Sequence, residues 1–270
     1  MTGLSPTLLR TEALLGTKVL RRLQGAHVLV VGLGAVGGAC LEALARSGIG
    51  RLTLVDGDVF EASNLNRQPF SAASLIGCSK AEASRQRLQD IAPTCTASAE
   101  TQFVTPLSAA ALLAHVQPDA VVDAIDDLPA KAALLEACVR QQIPVWSAMG
   151  AARKLDPAAL RVTDLSQTHT CPLARTLRQQ LRKRGISRGI RCVWSKETPR
   201  PLGAGNTLGS YMPVTASAGL FLAADLIQTL IRTAEPPQQP TGQTLPAQSE
   251  QVAGLPGGET VGKAESVSLP

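Results

Sequence analysis

Short runs of β-branched and other apolar residues alternate with longer helical patterns in the first 150 residues of the chain. Such runs are typical of parallel strands that are buried on both faces of a sheet. Because parallel strands need crossover helices between them, the alternation predicts βαβ units, a mostly parallel sheet with flanking helices, and hence an α/β fold. The predicted strands are His27–Gly32, Arg51–Asp56, Ala120–Asp126 and Ile143–Met149, and the predicted helices are Ala35–Ser47, Ser79–Asp90 and a segment that begins near Pro129.

The pattern is less regular from Gly150 onward. It predicts strands near Leu160–Leu165 and Ile190–Ser195, a basic helix between them, and a final apolar helix around Val214–Ile231. These elements predict a smaller C-terminal α+β extension of the same domain. Residues 201–224 carry no charge, but four Gly and two Pro interrupt them, so a buried core helix is favoured over a membrane span. Membrane association is expected to be peripheral at most.

Composition divides the chain at about residue 234. Residues 234–270 hold six Pro, five Gly, four Glu and one Lys, too little apolar surface to offset the entropy of ordering them, and this tail is predicted to be disordered. Residues 1–233 carry 25 basic and 17 acidic side chains, a net charge of +8. This charge favours an anionic partner, although it could also serve solubility alone.

The positive charge is concentrated in residues 165–196, which contain eight Lys and Arg and no acidic residue. Arg175, Arg178 and Arg182 have the spacing i, i+3, i+7 and would share one helix face, and Lys183 and Arg184 follow directly. Such a stripe suits contacts with the phosphate backbone of a nucleic acid. An ordinary solvated helix face is the alternative.

The six cysteines are scattered, with no CxxC pair, so no structural zinc is expected. Cys171 and Cys192 are interpreted as structural or incidental. The N-terminal segment has no apolar signal core, which favours a cytoplasmic chain with reduced thiols.

A glycine-rich turn, GLGAVG at residues 32–37, follows the first predicted strand and opens the first predicted helix. Gly32 permits the tight turn, Gly34 lets backbone approach a phosphate, and Gly37 permits close packing of helix on strand. Asp56 ends the second strand, where its carboxylate can accept hydrogen bonds from ribose hydroxyls. Together these features predict a Rossmann-like adenine nucleotide site. Taken alone, they favour a nicotinamide cofactor.

Two cations in the next segment favour a triphosphate instead. Arg67 lies in the polar loop 63–68, and Lys80 begins a predicted helix. A dinucleotide has only a diphosphate, which the glycine turn already serves, whereas a converging Arg and Lys can neutralise a triphosphate as it is attacked. Surface charge at a loop and a helix start is the alternative.

Asp126 and Asp127 stand at the carboxyl end of a central predicted strand, where open α/β sheets bind ligands. Asp126 could hold Mg²⁺ between its carboxylate and phosphate oxygens. Asp127 is interpreted instead as the N-cap of the helix that begins near Pro129.

These motifs, in this order and spacing, resemble those of the ThiF/MoeB/ubiquitin-activating superfamily, whose members adenylate a carboxylate with ATP. Within the superfamily, the chain is most similar to the tRNA threonylcarbamoyladenosine dehydratases, and the similarity reaches to about Ile231. The supporting segments include RTEALLG (10–16), LARSGIG (44–50), NLNRQ (64–68), SKAE (79–82), DAID (123–126), PAKAAL (129–134), VTDLSQT (162–168), CPLARTLRQQLRKRG (171–185) and CVWSKE (192–197).

The resemblance implies a set of ATP-binding residues, namely Gly34, Asp56, Asn66, Arg67, Lys80 and Asp126. Gly32, Gly37 and Gln68 join the predicted site through the glycine turn and the polar loop. Arg10 matches the arginine that superfamily members insert into the neighbouring subunit's nucleotide site, which implies a homodimer. Arg10, Arg67, Lys80 and Asp126 are therefore the expected catalytic residues.

The family's reaction activates the carboxylate of threonylcarbamoyladenosine, next to the anticodon of tRNA, as an acyl-adenylate. Pyrophosphate leaves when the acyl-adenylate forms. A nitrogen or oxygen of the modification then attacks the activated carbonyl, which closes a ring and releases AMP. The resemblance thus implies ATP, Mg²⁺ and tRNA as ligands. Two alternatives remain: adenylation of a small ubiquitin-like sulfur-carrier protein, and an NAD-binding oxidoreductase or nucleotide-sensing module. A sulfur-transfer protein is a further candidate partner.

The predicted organisation follows from these assignments. Residues 1–26 form an N-terminal helical arm, 27–150 the ATP-binding half, 151–233 the basic substrate-binding half with the final core helix, and 234–270 the tail.

Overall fold

The structure is a computed structural model that describes residues 5–201 and 208–232. The tail 234–270, which is predicted to be disordered, lies outside the described residues. The strands are β1 (His27–Val31), β2 (Arg51–Val55), β3 (Thr96–Glu100), β4 (Ala120–Asp123), β5 (Val145–Ala148), β6 (Leu160–Asp164) and β7 (Arg191–Ser195). The α-helices are α1 (Leu9–Leu15), α2 (Thr17–Gly25), α3 (Ala35–Arg46), α4 (Lys80–Ile91), α5 (Ala109–Val116), α6 (Leu128–Arg140), α7 (Pro172–Lys183) and α8 (Met212–Arg232).

The seven strands form one sheet in the order β3-β2-β1-β4-β5-β7-β6. Neighbouring strands are parallel except for β6 and β7, which pair antiparallel. The chain builds outward from β1 in one direction with β2 and β3, and in the other with β4 and β5. The strand order therefore reverses between β1 and β4, and a crevice forms there at the carboxyl ends of the strands.

The predicted α/β fold with a mostly parallel sheet is confirmed, and the predicted strands and helices are present with bounds that differ by up to three residues. The largest difference is at β4, which ends at Asp123 and not at Asp126. The amide of Ala124 still donates to Val31 O of β1 (2.8 Å), whereas that of Ile125 donates to Asp123 Oδ1 (3.1 Å), so the chain leaves the sheet after Ala124. Asp126 therefore lies on a loop.

The final apolar helix, α8, packs on α3 and on the sheet. Val214, Ala218, Leu222 and Leu226 are buried along it. A Cβ on Gly219 would lie 2.3 Å from the backbone oxygen of Val36, so the two helices approach at backbone distance.

By length and composition alone, α8 could cross a membrane, and it is the one such helix in the described part of the chain. Its single acidic residue, Asp225, contacts the sheet. Asp225 accepts hydrogen bonds from Trp146 Nε1 of β5 (2.8 Å) and from Arg191 Nε of β7 (2.9 Å). Asp225, which interrupts the apolar run, therefore links α8 to β5 and β7 by hydrogen bonds.

Candidate active site

A cleft of about 540 Å³ opens at the carboxyl edge of the sheet, where the loops after β1, β2, β4 and β5 meet. The start of α4, the loop after β3, Leu173 of α7, and Leu208 and Ser210 complete its lining. The volume lies in the usual range for small-molecule sites. The cleft lining brings together Gly32, Gly34, Asp56, Arg67, Gln68, Lys80 and Asp126 of the predicted nucleotide residues.

The glycine turn has the backbone that its sequence predicts. Gly32 has φ +86°, and a Cβ there would lie 2.6 Å from Ala124 O. A Cβ on Gly37 would lie 1.8 Å from Gly32 O, so Gly37 permits the packing of α3 on the turn and does not itself line the cleft. Gly34 is the N-cap of α3 and makes no side-chain cap, so the first N–H groups of the helix open on the cleft as an anion site.

Asp56 anchors this turn to the end of β2. Its Oδ2 accepts the amide of Leu33 (2.6 Å), and its Oδ1 accepts the amide of Asp58 (2.8 Å). Burial raises the pKa of Asp56 above its ordinary value, and these two hydrogen bonds and the charge of Lys80 oppose the shift. Each oxygen keeps a second lone pair that can accept a hydroxyl hydrogen from a ribose.

The polar loop before α4 directs a guanidinium into the cleft. Arg67 is half-buried, and its Nη1 donates to Ser63 O (2.7 Å) and to Asn66 Oδ1 (3.0 Å). Asn66 does not line the cleft. Its Nδ2 donates instead to Ser210 O (3.0 Å), so Asn66 orients Arg67 and ties the loop to the segment before α8.

Lys80 and Gln68 complete this side of the cleft. Lys80 is buried, and its Nζ donates to Asp58 Oδ2 at 3.0 Å. Gln68 is also buried, and its Oε1 has no hydrogen-bond partner among the described residues. A buried acceptor left unsatisfied costs about 1–3 kcal/mol, and because Gln68 lines the cleft, a donor on a bound ligand would remove that cost.

The loop after β4 is fixed by an ion pair that sequence reasoning did not single out. Lys131 Nζ lies 2.8 Å from Asp123 Oδ2, with both side chains fully buried, and also donates to Ile125 O (3.0 Å). The sequence signal that could have revealed this ion pair is Lys131 itself, a lysine within the otherwise apolar segment PAKAAL. Asp126 is exposed and lines the cleft, whereas Asp127 Oδ2 accepts the amide of Ala130 (2.9 Å), which confirms the N-cap interpretation.

The remaining predicted residues lie away from the cleft. Arg10 is exposed on α1. In and just after α7, Arg175, Arg182 and Lys183 are exposed, whereas Arg178 donates to Thr168 Oγ1 and Arg184 Nη1 lies 2.9 Å from Glu136 Oε2. Three of the five predicted RNA contacts are therefore open to solvent, and two already contact other side chains.

The reversed strand order, the uncapped glycine turn and the anchored carboxylate define the class to which the protein belongs, that of Rossmann-like nucleotide-binding proteins. The family can also be stated. The model of the ThiF family matches residues 8–255, and the chain belongs to that family.

Named relatives and solved structures agree with this membership. The chain is 39% identical over 190 residues to tRNA threonylcarbamoyladenosine dehydratase of Bacillus subtilis (strain 168), a match that covers 70% of this chain and 74% of the relative. The crystal structure of E. coli tRNA N6-threonylcarbamoyladenosine dehydratase in complex with ATP has a TM-score of 0.79 at 36% identity, covering 83% of this chain and 93% of that one. The complex of the same E. coli protein with AMP has a TM-score of 0.81 at 35% identity, covering 87% and 99%.

Proposed function

We propose that this protein is an ATP-dependent tRNA threonylcarbamoyladenosine dehydratase. It adenylates the carboxylate of threonylcarbamoyladenosine next to the anticodon and releases pyrophosphate, and AMP leaves when the modification cyclises. The observation that carries the proposal is the convergence of Arg67, Lys80 and the uncapped N-terminus of α3 on one cleft, beside the carboxylate of Asp56. The ATP and AMP complexes of the similar E. coli enzyme support it.

The proposed chemistry explains the cations. A carboxylate that attacks the α-phosphorus builds negative charge on the phosphate oxygens. Arg67 and Lys80 stabilise that charge, together with Arg10 of a second copy, and each donor is worth about 10²–10³ in rate. Ring closure is intramolecular, so no nucleophilic side chain is needed.

Asp126 is the residue that fits Mg²⁺. The described residues contain no group of three or more His, Cys, Asp or Glu that could hold a metal. Mg²⁺ in nucleotide sites is usually held by only one or two carboxylates and the phosphates, so a single exposed carboxylate that lines the cleft suffices. The ion would neutralise part of the triphosphate charge.

The partners follow from the same proposal. The exposed basic side chains Arg175, Arg182 and Lys183 bind tRNA through its phosphates, and Arg178 and Arg184 contribute when the RNA displaces their present contacts. The protein acts as a homodimer in the cytoplasm, and a sulfur-transfer protein is a candidate further partner.

The test is release of AMP and pyrophosphate from ATP–Mg²⁺ by the purified chain. We expect release with tRNA that carries threonylcarbamoyladenosine and none with unmodified tRNA. Release driven equally well by a small ubiquitin-like sulfur carrier would support the competing adenylyltransferase function. Thermal stabilisation by NAD in preference to ATP–Mg²⁺ would support the oxidoreductase or sensor alternative.

A further inference from the structure

The sheet order divides the cleft into two sides. Asp56 follows β2 and the glycine turn follows β1, whereas the wall formed by residues 148–152 begins at the last residue of β5. Since β5 lies two strands beyond β1 and neighbouring strands are about 4.8 Å apart, the wall is about 10 Å from the glycine turn. A nucleotide that extends from Asp56 to the glycine turn therefore leaves the β5 side of the cleft for another ligand.

A buried lysine stands behind this wall. Lys154 is 2% exposed, and its Nζ donates to the backbone oxygen of Gly150 at 2.7 Å. Lys131, another buried lysine that holds a cleft loop, has Asp123 as its counter-ion at 2.8 Å. For Lys154, by contrast, no carboxylate lies within ion-pair distance in the part of the chain that the structure describes.

The loop that carries Lys154 is held from both ends. The Glu197 carboxylate accepts the amides of Leu155 and Asp156, each at 2.9 Å, and the amide of Arg153 donates to Gly209 O at 2.8 Å. The ammonium therefore stays behind the wall. Burial lowers the pKa of Lys154, while Cys171 and Glu197 act in the opposite direction.

A buried charge without a close counter-ion is costly, and an anion on the other side of a thin wall reduces that cost. The N-terminal end of the α7 dipole, which is positive, also lies near residues 148–152 and favours an anion there. Leu173 lines the cleft, and Cys171, the N-cap of α7, makes no side-chain cap, so unpaired N–H groups lie near the wall. The β5 side thus favours a negative group.

We propose that the β5 side of the cleft is the subsite for the carboxylate that becomes adenylated, and that Lys154 is a positioning residue whose charge holds this carboxylate against residues 148–152. The inference rests on the proposed function and specifies where the RNA-borne group binds. Leu173 and Arg182 are nine positions apart, which is about 13.5 Å along α7, so RNA bound along the basic face can deliver its modified base to this end.

The test compares two anticodon stem-loop RNAs, one with threonylcarbamoyladenosine and one with its neutral methyl ester, in equilibrium binding. Wild type is expected to bind the acid about tenfold more tightly than the ester, because the charge of a buried ammonium near the subsite attracts the carboxylate. Lys154→Met should remove the preference and Lys154→Arg should keep it, while ATP affinity stays unchanged. Met replaces a buried charge by an apolar chain of similar volume, which proteins usually tolerate. Lys18→Met, at an exposed position on α2, is the matched control and should keep the preference.

A second variant tests the subsite without removing the lysine. Ala151→Asp places a negative charge on the cleft wall and should weaken binding of the acid while leaving the ester unaffected. A preference for the acid that survives in both Lys154→Met and Ala151→Asp would overturn the subsite and leave the proposed function standing. Failure of wild type to bind either stem-loop would overturn the proposed function and this inference with it.

Discussion

Lys80 lines the cleft with a side chain that is 8% exposed, while its partner Asp58 is 54% exposed. An ion pair with so exposed a partner contributes about 0–1 kcal/mol, which is too little to explain why a lysine is buried here. A phosphate ligand explains it, because Lys80 lines the cleft together with Asp56 and the glycine turn.

We expect Lys80→Met to lower kcat for AMP release by about 10²–10³-fold, since it removes one donor to the developing phosphate charge. Asp58→Asn is the matched control. It removes only the exposed half of the ion pair, so activity should stay within about fivefold of wild type. Equal losses in the two variants would mean that Lys80 acts only by holding Asp58.

Residues whose role depends on local backbone were predictable from sequence. The glycine turn and Asp56 form a local constellation, and the spacing of the motif fixes the strand-turn-helix geometry that brings them together. Lys154 gave no such signal, because its importance comes from the packing of residues distant in sequence, such as Glu197 and Gly209, around its loop. ATP binding by Asn66 stays a prediction, and the contacts of its side chain with Ser210 and Arg67 are tertiary and local details that the motif does not reveal.

At the scale of elements, the packing of α8 on the sheet includes the hydrogen bonds of Asp225. Burial alone would raise the pKa of Asp225, but the hydrogen bonds from Arg191 and Trp146 outweigh it, and the pKa is lowered. A carboxyl group whose folded pKa is below its unfolded pKa stabilises the fold above the unfolded pKa of about 4. This stabilisation is lost as the pH falls through the folded pKa.

Asp225→Ala should reduce the free energy of unfolding at neutral pH by about 1–3 kcal/mol, because the buried indole N–H of Trp146 loses its acceptor. Urea unfolding measures this, and the difference from wild type should shrink below pH about 4. Gln228→Ala, at an exposed position on the same helix, should change stability by no more than about 0.5 kcal/mol. A difference independent of pH would contradict the role of the ionised carboxylate.

Strands and helices that carry a clear apolar run or period were predicted, and two weaker ones were not. β3, with the sequence TASAE, is an edge strand with no fully buried residue, so it lacks the apolar run of β1 or β4. α5 has only eight residues, AAALLAHV, and all of them except His115 are apolar, so no helical period is visible. Both elements are defined by the neighbours on which they pack.

At the scale of the whole molecule, Arg10 tests the proposed dimer. If Arg10 completes the site of a second copy, an equal mixture of the inactive Arg10→Ala and Lys80→Met proteins forms mixed dimers with one intact site. Random exchange should then restore about a quarter of wild-type AMP release. No recovery in a mixture shown to exchange subunits would place the action of Arg10 within its own chain, or outside the reaction.

RNA binding by the basic face of α7 is the second prediction for the whole molecule. Arg175→Ala and Arg182→Ala should each weaken stem-loop binding at low salt and reduce the slope of log K against log salt by about 1. Arg21→Ala, an exposed arginine on α2, is the matched control. The same loss in the control would mean that net charge, and not the α7 face, attracts RNA.

The central claim is that this cleft uses ATP to remove water from a tRNA modification. The most direct measurement is mass spectrometry of the nucleoside next to the anticodon after the tRNA is incubated with the protein and ATP–Mg²⁺. We predict that threonylcarbamoyladenosine loses the mass of one water, in proportion to the AMP released. AMP release with no change in the mass of the nucleoside would contradict the account.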